Sequence, residues 1–154
     1  LTLHFNLADN LIQLGRFAEA ELLLPGVREL AERLGNDLDL VRQAWLEARF
    51  AAGRGRTDEA AAGFEKVRRA FLTRRIAYDA ALVSLELAVL YLRQGRQAEV
   101  QEIAAELLPV FTAQNVQRES LATVQLFCDA ARREGLSVER VERYAKDLRR
   151  GGRE

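Results

Sequence analysis

The stretch LGRFAEAE, Leu14–Glu21, returns as RGRTDEAA at Arg54–Ala61 and as QGRQAEVQ at Gln94–Gln101. Glycine stands at positions 15, 55 and 95, and a fourth, Gly135, keeps the 40-residue step. Arg16, Arg56 and Arg96 follow the first three, with Leu136 in the fourth place, and Glu19, Glu59, Glu99 and Glu139 complete the register. Ala20, Ala60 and Val100 come next, where the fourth unit departs with Arg140. A fixed period of this length marks a repeat architecture, in which each unit buries its apolar side only by stacking on a neighbour.

Each glycine separates two stretches with apolar residues at helical spacing, as in DAALVSLELAVLYLRQ before Gly95 and AEVQEIAAELLPVF after it. Glycine just past a helix end accepts the left-handed conformation that closes it. The glutamate then falls in the first turn of the next helix, where it complements the positive end of the dipole. Thr57 and Ser137 are candidate N-caps. Strand signals are missing, so the expectation is all-α: an α-solenoid of four antiparallel helix pairs. The repeats span about 1–36, 37–75, 76–115 and 116–150, with 151–154 as a disordered tail. The helix over Ile76–Arg93 carries two apolar stripes, Ile76, Val83, Leu87, Leu90 and Leu82, Leu85, Val89, Leu92, so it should be covered on several sides. The last helix, Val138–Arg150, is strongly charged, as suits a terminal cap. Pro25 and Pro109 fall inside helical patterns and predict a kink or break.

With 154 residues the chain is about one domain. Its 23 basic and 23 acidic residues cancel, which removes any whole-molecule field for nucleic acid or an anionic membrane. No apolar run approaches the roughly 18 residues of a membrane span, and no secretory signal pattern is present. Cys128 is the single cysteine and lies in the apolar run VQLFCDAA, which reads as a reduced, buried thiol in a cytoplasmic protein. The absence of methionine and the opening LTLHFNLADN lead us to expect a piece of a longer chain.

Signals for chemistry are poor. One histidine, His4, cannot form a zinc cluster or a Cys–His pair. GRGRTD, Gly53–Asp58, has Asp58 where a dinucleotide fingerprint needs its third glycine, and no strand precedes it. No phosphate-binding loop or nucleophile elbow occurs. The expectation is no catalysis, no metal and no cofactor. EKVRRAFLTRRIAY concentrates Lys66, Arg68, Arg69, Arg74 and Arg75. It reads as a charged helix end, with nucleic-acid contact the lesser alternative.

Leu7, Ala8, Leu11, Gly15, Phe17 and Ala20 together resemble the tetratricopeptide repeat, which has a small residue on the first helix, glycine and an aromatic at the turn, and alanine on the second helix. Repeat two matches with Ala48, Gly55, Ala60 and Phe64, and repeat three with Leu87, Ala88, Tyr91 and Gly95; repeat four, with Phe127, Cys128 and Gly135, is degenerate. The period exceeds the family's usual value of about 34, as in longer repeats attached to bacterial regulators. Thr57 and Gln97 replace the turn aromatic. A HEAT-type solenoid, with a period of about 40–47, is the alternative.

The resemblance implies a right-handed superhelix whose first helices line a groove for a peptide or partner helix. Carried onto this chain, the groove is Thr2, Phe5, Asp9 and Ile12; Arg42, Trp45, Arg49 and Ala52; Leu82, Leu85, Val89 and Leu92; and Ala122, Gln125, Asp129 and Arg132. Arg42, Trp45 and Arg49 are the distinctive group, able to stack and to pair with carboxylates. The plainer reading makes Trp45 core and leaves the arginines solvated or paired with Asp9 and Glu47. The family's carboxylate clamp is absent, its positions being Phe5, Asp9, Leu46, Leu82 and Glu86. The implied function is a non-catalytic protein- or peptide-binding scaffold of a bacterial, regulatory protein. The alternatives are a self-association or docking module, which exposed Leu3, Leu7 and Leu11 would favour, and a ligand-sensing domain controlling an upstream DNA-binding domain.

Overall fold

The computed structural model describes residues 1–34, 36–114 and 116–151. Among them run eight helices and no strand: α1 (Thr2–Gln13), α2 (Phe17–Leu34), α3 (Asp37–Gly53), α4 (Thr57–Thr73), α5 (Ala77–Arg93), α6 (Gln97–Ala113), α7 (Arg118–Arg132) and α8 (Val138–Gly151). The protein is all-α, a helical repeat in which α1, α2 and α3 pack in sequence, as do α5, α6, α7 and α8. Of the expected disordered tail, Gly151 is the last residue of α8, and 152–154 lie outside the described residues.

The recurring glycine closes a helix by two hydrogen bonds. Past α1, the Gly15 N–H donates to the Ile12 carbonyl at 3.0 Å and the Arg16 N–H to the Leu11 carbonyl at 2.8 Å. These are the paired bonds of a Schellman turn, which occupy carbonyls that the helix end leaves over. The same pair recurs at Gly55 and Arg56, at Gly95 and Arg96, and again at Arg75 and Ile76 and at Glu134 and Gly135. The residue in the left-handed region has φ of 75° at Gly15, 77° at Gly55 and 72° at Gly95, but also 56° at Arg75 and 54° at Glu134. Gly135 therefore does not hold the turn expected of it. Because α7 ends at Arg132, the left-handed position falls one residue early, on Glu134.

The arginine and glutamate of the repeated stretch meet each other. Arg16 donates through Nε to Glu19 Oε1 at 2.7 Å and through NH2 to Oε2 at 2.6 Å, and Arg96 Nε donates to Glu99 Oε1 at 3.1 Å. The Glu99 carboxyl is held below its ordinary range, first by its own backbone N–H and then by Arg96. Exposed pairs of this kind add little stability. Their effect is to fix the first turn of the following helix. Ser137 caps α8 by accepting the Arg140 N–H at 3.2 Å, and Asn36 caps α3 by accepting from Leu38 at 2.9 Å. Thr57, by contrast, is already the first residue of α4.

Neither proline breaks its helix: α2 continues through Pro25 and α6 through Pro109. Each proline leaves one carbonyl four residues back without its usual donor, at Glu21 and Ala105, and both residues are exposed. Loss of a hydrogen bond on a wet face costs far less than in a core.

The chain forms two compact bodies, Leu1–Val67 and Arg68–Glu154. In the first, Ala8, Leu11, Ile12, Ala20, Leu24, Val27, Leu46 and Phe50 are the buried cluster, edged by Phe5 and Phe17. Phe17 stands edge-on to Phe50, with ring centroids 6.2 Å apart. It also occupies the space that a Cβ at Gly53 would need, 2.2 Å from its Cε1.

In the second body α5, α6, α7 and α8 pack in sequence, and α8 returns to lie against α5. Arg149 NH2 meets Glu86 Oε1 at 3.3 Å, and Arg93 NH2 meets Glu142 Oε1 at 3.7 Å. The two pairs are seven residues apart on each helix and run in opposite order, so α8 is antiparallel to α5. As its two apolar stripes predict, α5 is covered nearly all round, with Val83, Leu85 and Leu87 fully buried. The charged α8 contributes only a narrow stripe, Val141, Ala145 and Leu148. Much of the basic stretch is absorbed here as well. Arg68 is buried and reaches Glu106 at 3.3 Å, Arg69 reaches the same carboxylate at 3.7 Å, and Arg74 donates to the Ala70 carbonyl.

Candidate functional site

In the first body α1 and α3 lie side by side. Their shared face holds the residues that the repeat register assigns to a groove. Arg49 donates to Asp9 Oδ1 at 3.0 Å, and its guanidinium carbon lies 4.2 Å from the centre of the Trp45 ring. Both side chains of the ion pair are mostly covered, and Trp45 is only 6% exposed. The indole therefore fills space between helices, and the Arg49 guanidinium packs against it as a flat cation on an aromatic face. This matches the plainer reading for Trp45 and Arg49. Glu47 pairs elsewhere, with Arg28 and Gln43.

Toward the N-terminal ends of the two helices the packing opens into a cavity of about 220 Å³. Leu1, Thr2, Phe5 and Asn6 line it from the α1 side, and Asp39, Arg42 and Gln43 from α3. Phe5 and Arg42 of the expected groove thus come together on one hollow. Asp9, Trp45 and Arg49 stand further along the same two helices as a braced wall.

Four lining residues escape the sequence reading: Leu1, Asn6, Asp39 and Gln43. Gln43 carried a signal, because it shares the stripe of Leu46 and Phe50, which face the core. It is 4% exposed; its Nε2 donates to Glu47 Oε1 at 3.0 Å, while its Oε1 is buried and has no hydrogen-bond partner among the described residues. A polar side chain on a buried stripe with half its amide unsatisfied calls for a reason.

The third part of the expected groove is placed differently. Leu82 and Leu85 are buried and Val89 is half-buried. Glu86 and Arg93, which share their side of α5 at helical spacing, are the residues that hold α8. That face therefore serves the core of the second body. On α7, Ala122, Gln125 and Arg132 are exposed, and Arg132 pairs with Asp129.

Among the described residues no group of three His, Cys, Asp or Glu side chains is arranged to hold a metal ion, and no helix is long and apolar enough to cross a membrane. The Cys128 thiol is buried and donates to the Ala104 carbonyl at 3.4 Å; burial pushes its pKa up to about 11. Comparison with protein-family models, curated proteins and solved structures returned no match.

Proposed function

We propose that this chain is a tetratricopeptide-like binding module of a bacterial cytoplasmic, regulatory protein, and that it holds a segment of a partner protein without catalysing a reaction. The observation that carries the reading is the hollow between α1 and α3, which gathers Phe5 and Arg42 at the position where the repeat register assigns a groove. Phe5 offers an apolar wall and Arg42 an exposed guanidinium at the mouth. Such a pairing suits an apolar anchor flanked by a carboxylate. With the corresponding face of α5 packed against α8, the first body is the place to look for the partner.

The test is capture of a protein from a lysate of the source cells, with an Arg42→Glu variant of equal helicity beside the parent. The reading expects a protein bound by the parent and lost by the variant. Equal capture by both, or capture of nothing, removes this site from consideration.

A second reading, self-association, has its own observation. Leu3 is 78% exposed, and Leu7 and Leu14 on the same side of α1 are also exposed, whereas Leu11 is buried. Molar mass followed against concentration separates the readings, since a dimer through this stripe dissociates when Leu3 and Leu7 are both changed to lysine.

A further inference from the structure

The cavity carries groups of opposite charge on a small scale. Asp39 and Arg42 are three residues apart on α3, which puts both on one side of the helix about 5–6 Å apart at Cβ. Thr2, Phe5 and Asn6 face them at i, i+3 and i+4 spacing on α1. Gln43 lies next to Arg42 with a buried acceptor, Oε1, that no donor among the described residues satisfies. Leaving such an atom unpaired is costly, and a ligand that brings an N–H removes the cost.

Size narrows the choice. A cavity of about 150 Å³ already admits a benzene-sized molecule, whereas drug-sized ligands need about 300 Å³ or more. At about 220 Å³ the hollow fits a small molecule of roughly amino-acid size. Its ligand must offer an acceptor to a guanidinium, donors to a carboxylate and an amide oxygen, and an apolar part to Phe5 and Leu1.

We infer that the cavity between α1 and α3 binds a free α-amino acid with an apolar side chain. Its carboxylate lies on Arg42, near the N-terminal end of α3, where the backbone favours negative charge. Its ammonium lies between Asp39 and the Gln43 amide, whose Oε1 turns toward the cavity about a soft terminal torsion in exchange for the Nε2 bond to Glu47. Its side chain packs on Phe5. This inference shares the hollow with the protein-binding reading but does not depend on it.

The test is a titration of the chain followed by amide-resolved NMR, with L-leucine and L-phenylalanine as probes. Isocaproate, which lacks the ammonium, and isoamylamine, which lacks the carboxylate, are the controls. We expect saturable shifts at Thr2, Phe5, Asn6, Arg42 and Gln43, with each control at least about tenfold weaker because it forfeits one charge-assisted contact. Arg42→Gln should weaken L-leucine about tenfold and leave isoamylamine unchanged, while Asp39→Asn should weaken L-leucine and leave isocaproate unchanged. No saturable shift from either amino acid at about 10 mM overturns the inference. So does binding that both variants retain, or controls that bind as well as the amino acids. Should a variant lose helicity, the comparison of the four probes on the parent chain decides alone. Because the lysate experiment reads a different ligand, failure here leaves the protein-binding reading to stand or fall separately.

Discussion

Asp9 and Arg49 occupy the same position of successive repeats, 40 residues apart, and are joined by a 3.0 Å ion pair. Between the first two repeats the period in the sequence is thus realised as direct contact between equivalent positions. Their first helices, α1 and α3, lie side by side, so Asp9 meets its own counterpart one repeat later. Opposite charges at that position turn a repeat into a register lock.

The lock is measurable by a double-mutant cycle. Asp9→Ala and Arg49→Ala should each destabilise the chain, and their coupling should be about 1 kcal/mol, at the upper end for partly covered pairs. Arg49→Ala should cost more than Asp9→Ala because it also uncovers Trp45, against which the guanidinium packs at 4.2 Å. Urea unfolding of the four chains gives the answer, and a coupling near zero would make the pair incidental.

Two of the five Schellman turns among the described residues place a side chain where the other three have glycine. Arg75 and Glu134 sit at φ of 56° and 54°. A left-handed L-residue costs roughly 1–2 kcal/mol, of which glycine's greater unfolded entropy returns about half. Arg75→Gly and Glu134→Gly should therefore each stabilise by about 0.5–1 kcal/mol. Gly55→Ala, at φ of 77°, should destabilise by a similar amount. Thermal unfolding of the three variants checks the signs, and a stabilising Gly55→Ala would refute the account.

How far the fold was legible depended on whether a feature was local. Gly15, Gly55 and Gly95 could be read because a tight helix end imposes its own chemistry on one residue. Glu134 could not, since the glycine one position later offered the same signal in a slightly wrong register. The break expected at Pro25 does not occur, because a rule about hydrogen bonds says nothing of whether the orphaned carbonyl faces water. Trp45 and Arg49 were identified as a group, but only burial decides between an anchor and a wedge. The last helix was read only as a charged cap, and even its stripe of Val141, Ala145 and Leu148 names the face of a helix and not the neighbour that receives it. For that reason the return of α8 to α5 was beyond the sequence reading. Gln43 needed the knowledge that its stripe points inward.

The closure of α8 on α5 predicts a core contribution from an otherwise charged helix. Leu148 is fully buried, and Leu148→Ala should cost about 2–4 kcal/mol. Arg149→Glu opposes Glu86, which is largely covered, and should cost about 1–2 kcal/mol. Reversing both charges, with Glu86→Arg added, should restore most of that loss. Denaturant midpoints test the set, and the reversed pair is the decisive member. If it is no better than Arg149→Glu alone, the ion pair does not hold α8 in place.

Cys128 supplies a pH-dependent test of the second body. Burial raises its pKa from an ordinary 9.0 to about 11, against a smaller downward pull from Arg132. The folded chain therefore holds this proton more tightly than the unfolded chain. Its contribution is intact below about pH 9 and is lost as pH rises toward about 11, by roughly 1–2 kcal/mol. Subtracting the unfolding free energies of a Cys128→Ala chain at each pH isolates the effect, because all other titrating groups are shared. Thiol alkylation at about pH 8 gives an independent reading, since a two-unit shift lowers the reactive thiolate about a hundredfold relative to the unfolded chain. Equal alkylation rates in buffer and in urea would mean that α7 does not keep this thiol buried, and the packing of α7 on α6 would have to be redrawn.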